Sequence, residues 1–333
     1  MILRRSPRWR IPERDATPEA AFLDRRTLLR RAGLLGLGAV AATLGGEGTA
    51  GAGAAGAGEL PIPPDISRRY PARRNARFAL DRPLSKEDLV ASYNNYYEFG
   101  DAKDSPARAA QTLTTRPWAI EIAVLVQKPF TIDRDELVRR MRTEERVYRH
   151  RCVERWSIAV PWTGFPLKDL VALARPLSSA KYLRTVSFKK TSEAPHQLDP
   201  WYPFPYFEAF RLDEAVNELA FVAIGSYGHE LAKQNGLPIS LKMPWKYGYK
   251  SPKGIVRFEL TESEPPTFWH ALQPFEYGFL SNVNPAVPHP RWSQAKESFL
   301  GPNGTEMRDT LPYNGYAELV AGMYDDDSRR RLS

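Results

Sequence analysis

Apolar and polar positions alternate along residues 118–126 with the two-residue period of a half-buried strand, and Lys128-Pro129 stops the run. Residues 157–160 and 182–187 are further candidate strands, and the stretches 219–224, 238–243 and 254–260 are β-rich and bounded by Gly or Pro. Helical patterns occupy 131–142, 166–174 and, more briefly, 212–217. Ser85 ahead of Lys86-Glu87-Asp88-Leu89 reads as the cap of a short helix. From 59 to 83 the pattern is lost in Pro and Arg, so this segment is expected to lie over the surface as an extended N-terminal arm and not to enter the core. The C-terminal part of the chain carries long irregular stretches. Strands and short helices in mixed order, joined by long loops, predict an α+β fold for residues 84–333.

Composition adds a core and removes some partners. The chain of 333 residues is 42% hydrophobic and 11% aromatic, which is enough to bury a sizeable interior. Its net charge of +8 is uneven: residues 1–58 hold nine Arg against five acids, leaving 38 basic and 34 acidic residues in the remainder. That remainder is too mildly basic to argue for a nucleic-acid groove, so no nucleic-acid partner is expected. No P-loop, dinucleotide-binding glycine motif, His-Glu-x-x-His pair or internal repeat occurs. The histidines are scattered singly, and only His150 lies close in sequence to another candidate ligand, Cys152.

Residues 1–58 read as a targeting peptide. Asp24-Arg25-Arg26-Thr27-Leu28-Leu29-Arg30 is followed by a Gly/Ala-heavy apolar run over 32–44 and a small-residue stretch over 45–58. The apolar run is shorter than the roughly 20 residues that span a bilayer. The segment resembles a twin-arginine signal, with Asp24 where that consensus has Ser or Thr and Leu28 where it most often has Phe. Twin-arginine export carries folded proteins, the expected route when a cofactor is inserted in the cytoplasm, and the expected destination is the periplasm.

Cys152 is the only cysteine, which excludes an intrachain disulfide. It sits in Arg149-His150-Arg151-Cys152-Val153-Glu154-Arg155-Trp156, where cationic neighbours are expected to lower the thiol pKa and favour the thiolate that binds a soft metal. A single Cys cannot build a structural zinc or iron–sulfur site. It suffices where an organic cofactor brings the other ligands; otherwise an isolated Cys is a small buried hydrophobe.

The segment Arg151-Cys152-Val153-Glu154-x-Trp156-Ser157, with Val160-Pro161-Trp162-x-Gly164-Phe165-Pro166-Leu167 behind it, resembles the molybdenum-ligating segment of the bacterial periplasmic protein-methionine-sulfoxide reductase catalytic subunits. Further blocks recur in order: Tyr93-Asn94-Asn95-Tyr96-Tyr97-Glu98-Phe99-Gly100, Leu212-Asp213-Glu214-Ala215, Gln234-Asn235-Gly236, Pro244-Trp245-Lys246-Tyr247-Gly248-Tyr249-Lys250, Glu276-Tyr277-Gly278-Phe279, Asn284-Pro285, His289-Pro290-Arg291-Trp292-Ser293-Gln294-Ala295 and Asn314-Gly315-Tyr316. The resemblance covers residues 93–324. It implies a sulfite-oxidase-type molybdopterin-binding fold with one molybdenum–molybdopterin per chain. It also implies reduction of methionine sulfoxide in oxidised periplasmic proteins back to methionine. Electrons would come from a haem-containing membrane subunit, since the chain has no Cys-x-x-Cys-His haem signature of its own. By the same resemblance Cys152 ligates molybdenum, and Asn94, Tyr97, Glu98, Ser187, Asn235, Ser240, Ser251, Pro252 and Lys253 hold the pterin and its phosphate. Ser187 stands where relatives carry Thr, and it keeps the hydroxyl.

Four features bear on this expectation. Ser240 replaces a cofactor-binding Arg of the relatives, so a bidentate grip on phosphate is missing. Lys242, two residues on and so on the same face of a strand, either supplies that charge or is an ordinary solvated lysine. The loop 191–201, with Ala194-Pro195-His196-Gln197 in place of the family's Met-Pro-Gly-Gln, is expected to border the substrate mouth. Trp245, Tyr247 and Tyr249 form either an aromatic rim for a methionine side chain or plain core packing. Tyr247 is the expected catalytic partner of Cys152, with the proton donor open among Tyr247, His150 and a water on the metal. Two rival readings stand beside this one: a sulfite-oxidase-like oxidoreductase, which wants cations around a dianionic substrate, and a non-catalytic periplasmic scaffold that lost its cofactor. The arm 59–83 is a candidate docking surface for the redox partner.

Overall fold

A computed structural model describes residues 59–327; the targeting peptide read at 1–58 lies outside the described residues. The strands are β1 (Ala119–Val124), β2 (Phe130–Asp133), β3 (Glu144–Arg151), β4 (Trp156–Pro166), β5 (Tyr182–Ser187), β6 (Phe207–Arg211), β7 (Phe221–Ser226), β8 (His229–Glu230), β9 (Ser240–Lys242), β10 (Ile255–Thr261), β11 (Lys296–Gly301) and β12 (Gly304–Asp309). They form two mixed sheets. One runs β2-β1-β10-β5-β6; in the other, β12-β11-β4-β7-β8 is joined by β3 on β4 and β9 on β7. Among the described residues helices are short and scattered between strands, the longest being Leu167–Ala174. This is the α+β class, and no helix among the described residues is long and apolar enough to cross a membrane.

The alternation over 118–126 becomes β1, whose Ile120 and Ile122 are buried and pair with Ile132 and Phe130 of β2. That pairing corrects the helix expected over 131–142. Thr131 and Ile132 extend along the sheet, and the helix starts only at Arg134, where the Asp133 carboxylate accepts the backbone N–H of Asp135 at 2.8 Å and of Glu136 at 3.3 Å. Ser85 likewise does not cap the next helix, Glu87–Ser92; its hydroxyl donates instead to Leu300 O at 2.6 Å.

Strand β3 was hidden by its charges. Glu-Glu-Arg-Val-Tyr-Arg-His-Arg reads as solvated, yet most of it is buried, because Arg146 pairs with Glu144, Arg149 with Asp81 and Arg151 with Glu297. The strand zips against β4 from Glu144↔Gly164 to Arg151↔Ser157, so the chain must reverse at residues 152–155. Strand β4 is buried along almost its whole length, flanked by β3 on one side and successively by β11 and β7 on the other. The hairpin that carries the single thiol is therefore anchored in the interior of its sheet.

The arm also departs from expectation. It contains a helical turn, Pro64–Ser67, that buries Ile66, and it buries Phe78 under the Arg146 guanidinium at 4.0 Å. Tyr70 donates its hydroxyl to Ile224 O of β7 at 3.0 Å. Proline and arginine mask these anchors in the sequence pattern, and residues 59–83 contribute to the core.

Candidate active site

Cys152 lies in the turn between β3 and β4. Its N–H donates to Trp156 O at 2.9 Å, Arg155 N–H returns to Cys152 O at 3.0 Å, and Arg155 takes a left-handed φ of 75° to close the reversal. The Val153 carbonyl accepts two side-chain donors, Trp292 Nε1 and Gln294 Nε2, each at 2.9 Å. The turn is thus held from inside and outside, and Cys152 is only 4% exposed.

Of the cations expected to lower the thiol, Arg151 does so, together with Lys103, but burial and the charge of Glu154 outweigh them. Arg149 turns to Asp81 and Asn314 O, and Arg151 to Glu297, Gln294 and the Cys152 carbonyl, because alternate residues of β3 point away from the turn. Burial, followed by the charge of Glu154, pushes the thiol well above its usual range. The sulfur donates to Glu154 Oε2 at 3.6 Å and accepts from Asn95 Nδ2 and Glu154 N–H, both at 3.5 Å. Burial raises the Glu154 carboxyl, but Lys103, Asn95 and Trp156 outweigh it and hold the group below the usual range. His150 stays neutral, pushed down to about 3 by burial and then by Lys242 and Lys253.

Two further segments converge on this turn. The first follows helix Glu87–Ser92 and includes Asn94, Asn95, Tyr96, Tyr97 and the buried Glu98. The second comprises Asn235, Gly236, β9 and residues 251–253, where Ser240 Oγ donates to Pro252 O at 2.9 Å and Ser251 Oγ accepts from Met243 N–H at 3.3 Å. Lys253 joins them, donating to Asn94 Oδ1 at 3.4 Å, Asn95 O at 2.7 Å and Gln234 O at 3.1 Å. Ser187, at the end of β5, is the register partner of Ile255 and so lies beside the second segment. Burial raises Glu98 to about 7 and lowers Lys253 to about 7.

This surface fits a large polar anionic group. Asn94 Nδ2, Asn95 Oδ1, Tyr96 Oη and Ser187 Oγ are buried polar atoms without a hydrogen-bond partner among the described residues, a cost that native interiors avoid unless another group satisfies them. Among the described residues there is no cluster of three or more His, Cys, Asp or Glu side chains for a metal, so the protein offers a metal here one soft ligand, Cys152.

A cleft opens next to the turn, lined by Val153, Tyr247, Tyr249, Glu276, Val287, His289 and Gln294. Tyr247 is aligned in a short parallel bridge with Arg151 and its hydroxyl accepts from Asn284 N–H at 3.5 Å. Tyr249 stacks on it at 6.4 Å and donates to Ser281 Oγ at 2.6 Å. Trp245 is not part of this rim: it is fully buried and donates its indole N–H to Tyr324 Oη at 2.7 Å, which makes it core. Glu276 and His289 were quoted in sequence blocks without a role, yet both line the cleft, with His289 Nε2 3.5 Å from Glu276 Oε2. The divergent loop is tied down by Gln197, which donates to Phe188 O at 2.7 Å, and by His196, whose Nδ1 meets Tyr97 O at 2.5 Å. Beyond those ties it exposes Leu198 and Trp201.

Residues 107–269 match the family described as the oxidoreductase molybdopterin binding domain. The chain is similar to the protein-methionine-sulfoxide reductase catalytic subunit MsrP of Burkholderia mallei, with 42% identity over 316 residues that cover 94% of this chain and 93% of the relative. Among solved structures it is similar to the sulfane dehydrogenase SoxCD of Paracoccus pantotrophus, with 14% identity, a TM-score of 0.40, and coverage of 65% of this chain and 57% of that one.

Proposed function

The chain belongs to the family of protein-methionine-sulfoxide reductase catalytic subunits, and from that premise we propose that it is an exported reductase that returns methionine sulfoxide in periplasmic proteins to methionine, with molybdenum–molybdopterin held through Cys152. The observation that carries this reading is the sole thiol, fixed in a rigid buried turn and facing two segments whose polar atoms lack partners. When bound, the cofactor supplies two-electron oxygen-atom transfer, a chemistry that side chains do not provide.

The residues divide the remaining work. Asn95 and Glu154 fix the direction of the Cys152 sulfur, and Lys103 holds Glu154 at 2.7 Å. Asn94, Tyr97, Glu98, Ser187, Asn235, Ser240, Ser251, Pro252 and Lys253 line the cofactor's bed. Tyr247 keeps its own proton, because burial raises its hydroxyl above the usual range, and Oη is the atom we assign to proton delivery toward the departing oxygen. Net reduction of a sulfoxide takes two electrons and two protons and yields a thioether and water. A membrane subunit carrying haem supplies the electrons, a role supported by the absence of a haem-binding motif from this sequence and by the relative being a catalytic subunit. Export through the twin-arginine route is supported by Arg25-Arg26 and the run behind them.

The cleft favours a neutral substrate over sulfite. None of its lining side chains is a lysine or arginine, and its one carboxylate, Glu276, is paired with Arg291 at 2.8 Å, so no surplus cation faces a small dianion there. Turnover of purified protein with a chemical electron donor and oxidised protein substrate tests the reading. Sulfoxide reduction without sulfite oxidation is expected; sulfite oxidation without sulfoxide reduction would overturn it.

A further inference from the structure

Lys242 ends β9 with 4% of its surface exposed, and its ammonium meets no carboxylate among the described residues. Its hydrogen-bond partner is the Ser240 hydroxyl at 3.0 Å, already committed as a donor to Pro252 O. Its other neighbour is the face of Trp162, with Nζ 4.0 Å from the ring centroid. The charge it feels is a second cation, Lys253, and burial together with that repulsion drives the Lys242 amine far below its usual range. A ring face and one hydroxyl do not offset the desolvation of an ammonium. A purely structural position would favour an apolar side chain of the same length.

The surroundings are drawn tight around this charge. Gly236 has φ 112°, and a Cβ there would stand 2.8 Å from Ser240 Cβ and 3.0 Å from Lys253 Cγ. The backbone at 236 can therefore approach the two polar side chains only without a side chain of its own. Lys253 reaches from here to Asn94 and Asn95, whose amide in turn contacts the Cys152 sulfur. A polar path thus links the sulfur to the unpaired ammonium. What would complete it is a group with a neutral polar body and a dianionic end, and molybdopterin, a phosphomonoester, has that form.

We propose that Lys242 is the clamp for the cofactor's phosphate, with Trp162 backing the ammonium and Ser240 aiming it. The proposal rests on the molybdopterin reading above and adds which side chain carries the counter-charge. Ser240 is neutral and already hydrogen-bonded, so the charge has moved two residues along the same strand face.

The test uses the full-length protein from a molybdopterin-competent host, with pterin and molybdenum per chain as the readout, and the thermal midpoint of the same proteins made without the cofactor. Lys242→Met should lower retained pterin by about tenfold or more, the scale of a lost charge-assisted hydrogen bond. Its cofactor-free form should melt at or above wild type, because a buried amine whose one hydrogen-bond partner is a hydroxyl has gone. Lys242→Arg should retain pterin, and Ser240→Arg added to Lys242→Met should recover most of it. Pterin held equally by wild type and Lys242→Met would overturn the clamp alone, as would a cofactor-free Lys242→Met that is markedly destabilised. A wild-type protein without pterin would overturn the clamp and the molybdopterin reading together.

Discussion

Lys246 and Lys250 reach carboxylates in the interior, whereas Lys242 and Lys253, on the same short stretch of chain, form no ion pair among the described residues. Lys246 binds Glu214, Leu280 O at 2.8 Å and Asn282 Oδ1 at 3.0 Å, and Lys250 binds Glu208 at 2.6 Å and Ala209 O at 2.7 Å. Lys253 is surrounded by neutral acceptors and senses Glu98 only through space. The paired lysines staple the loops after β9 to the helix Leu212–Val216 and to β6. Of the unpaired ones, Lys253 reaches Asn94 and Asn95 in the segment that holds orphaned polar atoms, and Lys242 lies within electrostatic reach of Lys253. Charge left uncompensated inside a protein marks where an outside partner completes the structure, and charge compensated within it marks scaffold.

The largest way to break this comparison is at a compensated pair. Glu208→Gln strands a fully buried ammonium and should cost about 3–5 kcal/mol in guanidinium denaturation, while Glu208→Leu combined with Lys250→Met should cost far less. Equal losses in the two variants would show that the pair is not what stabilises this region. Gly236→Ala places a side chain at a left-handed, crowded position and should cost about 1–3 kcal/mol, together with lower cofactor retention; a wild-type midpoint and cofactor content would remove the cradle from the account.

A third test uses acid. Burial raises Asp135, but Arg116 and Arg134 outweigh it and hold its carboxyl below the usual range. A depressed carboxyl contributes stability that is fully present above its unfolded pKa of about 4 and is lost as pH falls through the lower folded value. Denaturation midpoints should therefore drop below pH 4, and Asp135→Asn should start lower and fall less over the same range. The smallest effect is expected from Tyr249→Phe, which removes the hydrogen bond to Ser281 and should cost about 1 kcal/mol. A cost of several kcal/mol there would make the cleft wall part of the scaffold.

What the sequence conveyed follows from the same distinction. Strands with apolar alternation, such as Ala119–Val124 and Tyr182–Ser187, were legible because solvent and core sort their faces. Glu144–Arg151 was not, because its charges are buried and find partners at Asp81 and Glu297, far away in the chain. Cys152 stood out by its uniqueness and its block, but its electrostatics were misjudged: Arg149 and Arg151 are engaged by Asp81 and Glu297, and burial with the charge of Glu154 outweighs the lowering by Arg151 and Lys103. Glu276 and His289 stood in the quoted blocks, yet nothing local to them signals a shared cleft, which only the folded chain creates. For Lys242 the sequence left two readings open; burial without a carboxylate separates it from a solvated surface lysine.

The central claim is that the Cys152 sulfur binds molybdenum, and it is tested most directly by X-ray absorption at the molybdenum edge on full-length protein and its Cys152→Ser variant, with metal content measured in parallel. The account predicts about one molybdenum per wild-type chain, and in the variant either loss of the metal or loss of a sulfur neighbour, with sulfoxide turnover abolished. A variant with wild-type metal content, an unchanged spectrum and undiminished turnover would contradict it.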